Sequence, residues 1–149
     1  MVYQWKSGSR IKADAQSAGE VCARLEAEGR LTASDLVEES RPEDAPLHSA
    51  FEWRDDVAAE EWRMYQARNI IHSIIVIRND DMPQQVYYNI SPAAHNYESI
   101  ETIVRNEDKY EQLKQQAFRE LQSFERRYQT ILELSKVFDA IDELLADVS

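Results

Sequence analysis

One cysteine, three glycines and four prolines are all that this 149-residue chain holds of the residue types that staple, loosen and interrupt a backbone. A lone Cys22 excludes an internal disulfide and a cysteine zinc cluster. Its neighbours Val21 and Leu25 place it in a core, as a small apolar side chain rather than a reactive thiol. Long apolar runs are missing too. Nothing approaches the roughly eighteen residues that span a bilayer, and residues 1–12 lack the apolar stretch of a secretory signal. The expectation is a cytoplasmic protein with no membrane partner.

Catalytic signatures are equally scarce. No serine sits in a nucleophile elbow, no glycine-rich loop follows a strand, and a Cys/His dyad would take Cys22 off its apolar face. His48 with Glu52, Asp55 and Asp56 has the residue types of a metal site, but not a spacing that one helix brings to a point. His72 and His95 have no ligand-like neighbours. The pattern predicts no catalytic residue, no metal and no cofactor, hence a binding protein that is not an enzyme.

What is present begins with helix punctuation. All glycines fall within the first 29 residues and all prolines between 42 and 92, which divides the chain into three parts. Asp14 is placed to cap a helix that buries Ala18, Val21, Cys22 and Leu25 and stops at Gly29. Thr32 caps a second helix through Leu36 and Val37, with Asp35 at its positive end and Leu31 as a staple, until Arg41-Pro42 ends it. Leu47, Phe51 and Trp53 plug the core from a loop. A third helix is expected from Asp55 or Asp56, with Ala58, Ala59, Trp62, Tyr65 and Ile70 inward and Glu60, Glu61, Arg63 and Arg68 outward. The run 74–77, bounded by Asn79-Asp80-Asp81, answers the run 85–90 before Pro92 as a hairpin. Residues 97–104 fit a strand or a helical turn.

The last third, from Asn106 onward, has no glycine or proline and repeats apolar residues at steps of three and four. The stripe runs through Tyr110, Leu113, Ala117, Leu121, Phe124, Tyr128, Ile131, Phe138, Ile141 and Leu145, interrupted by Ser135. It reads as one long helix or a tight helical pair with a coiled-coil-like seam. Unbroken, it would reach roughly 60 Å, longer than a domain of this size is wide. A sister subunit is the expected cover, through Leu121, Phe124, Tyr128, Ile131, Phe138, Ile141 and Leu145. The expected fold is mainly α with a small β-hairpin (α+β), a head over residues 1–104 and a helical oligomerisation segment over 105–149.

Net charge is −11, unevenly spread. Residues 1–12 carry Lys6, Arg10 and Lys12 without an acid, residues 13–61 hold fourteen acids against four bases, and residues 62–78 carry only Arg63, Arg68 and Arg78. Two helices, a third helix and a hairpin follow the order of a winged helix-turn-helix, yet the second helix would meet phosphates with Asp35, Glu38 and Glu39. Nucleic acid is better suited to the basic islands, Lys6, Arg10, Lys12, Arg63 and Arg68, beside the stacking surfaces of Tyr3 and Trp5. The alternative is an acidic inhibitor that imitates phosphates and binds a basic host protein through Glu38, Glu39, Glu43 and Asp44.

Residues 3–10 (YQWKSGSR), 41–48 (RPEDAPLH), 51–53 (FEW), 58–63 (AAEEWR) and 66–68 (QAR), with 119–124 (RELQSF) and Tyr128, together resemble a family of small uncharacterised proteins encoded by bacteriophages and prophages. The resemblance implies a protein acting inside a bacterial host cell during infection or lysogeny. Accessory, regulatory or defence-inhibiting roles are usual there.

Overall fold

The computed structural model describes residues 1–55, 59–78, 82–91 and 96–147. The chain divides into two compact units, residues 1–103 and 104–149.

In the first unit the two predicted caps are in place. Asp14 accepts from Ser17 N at 2.9 Å and opens helix α1 (Ala15–Ala27), and Gly29 takes a left-handed φ of 70° just beyond its end. The Asp14 hydrogen bonds hold its carboxyl below the usual aspartate range. Thr32 Oγ1 accepts from Asp35 N at 3.0 Å and opens α2 (Ala33–Ser40). α2 packs on α3 (Glu60–Ser73), which runs straight into strand β2 (Ile74–Val76).

β2 is the middle of a three-stranded antiparallel sheet, between β1 (Tyr3–Trp5) and β3 (Gln84–Gln85). The β2–β3 pairing, Ile75 opposite Gln85, realises the start of the expected hairpin. The continuation does not stay in that sheet. β4 (Tyr87–Ser91) pairs instead with β5 (Asn96–Ser99), after which the chain turns into the short α4 (Ile100–Val104). Segment 97–104 is thus strand first and helix second. The expected turn residues Asn79, Asp80, Asp81 and Pro92 lie outside the described residues.

The N-terminal segment that carries Tyr3 and Trp5 is an edge strand. Tyr3 opposes Val76 and Trp5 opposes Ile74, and α1 packs against β1. That packing needs Gly19: a Cβ there would fall 2.2 Å from the Tyr3 ring. The core gathers Ala18, Val21, Cys22 and Leu25 from α1, Leu36 and Val37 from α2, Leu47 and Phe51 from the loop, and Ile70, Ile71 and Ile74. Burial pushes the Cys22 thiol up to about 12, so it stays protonated and inert at neutral pH.

The second unit is a helical hairpin. α5 (Glu107–Tyr128) is capped by Asn106, whose side chain accepts from Lys109 N at 3.1 Å. A short 3-10 turn (Leu132–Leu134) leads into α6 (Ser135–Asp147). α6 folds back on α5, with the Phe124 and Phe138 rings 6.2 Å apart. Of the two forms the apolar stripe allows, it takes the pair. Phe138 and Ile141 are buried within the chain, and Phe124 faces Phe138. Tyr128, Ile131 and Leu132 remain exposed, the last at 80%.

Candidate nucleic-acid interface

α3 turns inward a different face from the one its sequence predicts. Arg63, Ala67, Ile70 and Ile71 are buried, while Trp62 and Tyr65 are 48% and 57% exposed. Ala58, also expected inward, lies outside the described residues, and Ala59 is exposed. The phase is set at the far end, where Ile70 and Ile71 enter the core just ahead of β2. Carried back two turns, that phase brings position 63 inward.

Arg63 fills the inward position because every part of its side chain finds a partner. Its guanidinium lies 5.6 Å from the centre of the Trp53 ring and pairs with Glu60 at 3.1 Å and Asp55 at 3.3 Å. Nη1 donates to the Glu52 carbonyl at 3.4 Å. The other face of the cluster holds Arg41 over Trp53 and His48 stacked on it at 5.0 Å. Arg63 is only 6% exposed, so it is not a phosphate contact, contrary to the sequence expectation.

The outward face of α3 carries different chemistry. Trp62 and Tyr65 stack at 5.3 Å with 17° between their planes, forming an aromatic platform in water. One turn on comes Arg68, then His72, which meets Tyr97 edge-on at 5.4 Å. Partial burial, then Lys6, then Arg68 lower the His72 pKa, which keeps the imidazole neutral at pH 7 and places both cations near it. Beyond His72 the surface dips into a cavity of about 470 Å³ lined by Trp5, Lys6, Ile75, Ile77, Pro83 and Gln85. A second hollow, of about 330 Å³, flanks Arg68 beside Ser34, Asn89 and Tyr97.

The cations of the first unit fall into two groups. Arg24, Arg30, Arg41, Arg54, Arg63 and Arg78 each pair with a carboxylate. Lys6, Arg10, Lys12 and Arg68 have no such partner among the described residues. Two of these four, Lys6 and Arg68, converge on His72. Lys12 lies by the 49–52 loop, where its carbonyl accepts from Ser49 Oγ at 2.8 Å and its charge acts on Glu52.

The predicted acidic surface is partly spent inside the molecule. Glu38 pairs with Arg41 at 2.8 Å, which lowers its pKa, and Glu39 pairs with Arg24. Glu43 and Asp44 remain exposed on their loop. His48 is occupied with Trp53 and with the Ser40 carbonyl at 3.0 Å, while Asp56 and His95 lie outside the described residues. Among the described residues, no group of three or more His, Cys, Asp or Glu side chains is arranged to hold a metal, and no helix is long and apolar enough to cross a membrane.

No family model, characterised protein or solved structure matches this chain. The likeness to phage-encoded proteins rests on its residue pattern alone. The residues of this surface that the sequence did not place there are Trp62, Tyr65 and His72. The signal for the first two was the apolar pair Ile70-Ile71, which fixes the phase of α3 more firmly than Ala59 does.

Proposed function

We propose that this is a non-enzymatic, oligomeric accessory protein that binds nucleic acid through the outward face of α3 and the end of β1. Carrying the proposal is the division among its cations: in a chain of net charge −11, Lys6 and Arg68 have no carboxylate partner among the described residues, and Arg68 follows the exposed Trp62–Tyr65 rings along α3. Unpaired cations next to stacking surfaces suit a ligand that joins phosphates to bases. In the phage setting that the resemblance implies, such a protein serves nucleic-acid handling. The acidic-inhibitor alternative has less support, since Glu38 and Glu39 are already neutralised by Arg41 and Arg24.

The test is a fluorescence-anisotropy titration against salt. Two to four phosphate contacts give a slope of log K on log salt of roughly −1.5 to −3. Lys6→Glu and Arg68→Glu, both at exposed positions, should each weaken binding about tenfold at low salt, whereas Arg24→Glu should leave it unchanged. Binding that ignores salt, or that survives the double variant, removes Lys6 and Arg68 from the interface and the reading with them.

A further inference from the structure

Resting on that reading, we infer that the strand bound is a single one, laid along α3 with its bases on the Trp62–Tyr65 platform and in the Trp5–Lys6 cavity. In a duplex the faces of the bases are covered by their neighbours, and only edges and phosphates are offered to a protein. A stack of exposed rings offers chiefly its faces, with one hydroxyl and one indole N–H at its margin. It takes a base face, which an unpaired strand alone presents.

The order of groups along the surface fits the same ligand. The Trp62–Tyr65 stack comes first, Arg68 one turn later, His72 one turn after that, and then the cavity with Lys6 at its rim. From Trp62 to His72 the helix advances about 15 Å. Aromatic surface and cation therefore alternate, as base and phosphate do along a chain. The cavity lining includes Trp5, Ile75 and Ile77 together with Gln4 and Gln85, whose amides are able to meet a base edge. At about 470 Å³ it falls within the range of small-ligand sites. Glu61, in the first turn of α3, closes the track at the platform end by charge.

The acids also argue against a duplex. α2, the helix that a winged arrangement would send into a major groove, carries Asp35, Glu38 and Glu39 and packs on α3. Those carboxylates hold the arginines nearest to them, Arg30, Arg41 and Arg24, so α2 offers the phosphate rails of a duplex no unpaired cation among the described residues, whereas a single strand follows the band between Trp62 and Lys6.

Three probes separate the possibilities: a labelled deoxythymidine 12-mer, a 12-base-pair duplex and inorganic polyphosphate, each titrated at low salt. The single strand should bind at least tenfold tighter than the duplex. Trp62→Ala and Tyr65→Ala should each weaken the single strand about tenfold, and Trp62→Phe should restore most of the loss. Neither substitution should change polyphosphate binding, which depends on Lys6 and Arg68. Duplex binding as tight as the single strand, or a single strand indifferent to Trp62→Ala, overturns the inference while leaving a charge-based interface intact. No binding of any of the three overturns the functional reading as well. Loss of self-association in Trp62→Ala, with nucleic-acid affinity unchanged, would assign the platform to a protein contact and overturn the inference too.

Discussion

Arg63 turns a charge into a packing residue. Its stem crosses the core side of α3, its guanidinium rests on Trp53, and its two carboxylate partners sit toward water, Asp55 at 91% side-chain exposure. Removing the arginine therefore strands no buried carboxylate. The loss is a void, a cation–π contact and several hydrogen bonds. Arg63→Ala should cost about 2–3 kcal/mol of unfolding free energy and Arg63→Met only about 1, because the methionine stem keeps the packing. Urea unfolding followed by tryptophan emission measures both. Equal costs would show that the charge, not the stem, matters. At this scale the caps were legible, since Asp14 and Thr32 act on amides within three residues. Arg63 was not, because the partners that let a charge face inward, Trp53 and Asp55, lie on a separate loop.

Single helices were easier to place than strands. The apolar periods of α1 and α2 need no distant partner to be recognised, whereas the three residues of β1 are a strand only because Ile74, about seventy positions away, supplies the facing backbone. The same limit hid the second sheet, whose β4 leaves the expected hairpin to pair with β5. The α5–α6 hairpin carries a contact that apolar period alone does not reveal. Glu125 on α5 faces Asp142 and Asp139 on α6. Desolvation first, then the hydrogen bond to Asp142 and the two negative charges, raise the Glu125 pKa. A carboxyl whose pKa is higher folded than unfolded stabilises the fold below its unfolded pKa, and that contribution is lost as pH rises through the folded value. Glu125→Gln, which keeps the hydrogen bond without the charge, should therefore raise the melting temperature of the helical signal at pH 7. The gain should vanish by about pH 4, where the wild-type carboxyl is itself protonated. An equal gain at both pH values would exclude repulsion as its source.

On the scale of the whole molecule, the second unit does not bury enough of itself. α5 has 22 residues and not one fully buried side chain, although Leu113, Phe118, Leu121 and Phe124 lie along it. α6 is 13 residues long, about 20 Å against about 33 Å for α5, so it covers only part of its partner. Val137 and Leu144 stay 45% and 42% exposed. A two-helix unit of this size does not sustain a core alone, and the cover we propose is a second copy, which would complete a four-helix arrangement. Light scattering at micromolar concentration should give twice the 17.4 kDa chain mass, and Val137→Glu with Leu144→Glu should return it to one chain. Dimerisation also bears on function, because two weak tracks on one particle bind a long strand through effective concentration. The double variant should lose about 10- to 100-fold in affinity for a long single strand while keeping its affinity for a 12-mer. A wild-type mass of one chain would leave the exposed apolar residues without that cover, and each track would then bind alone and weakly.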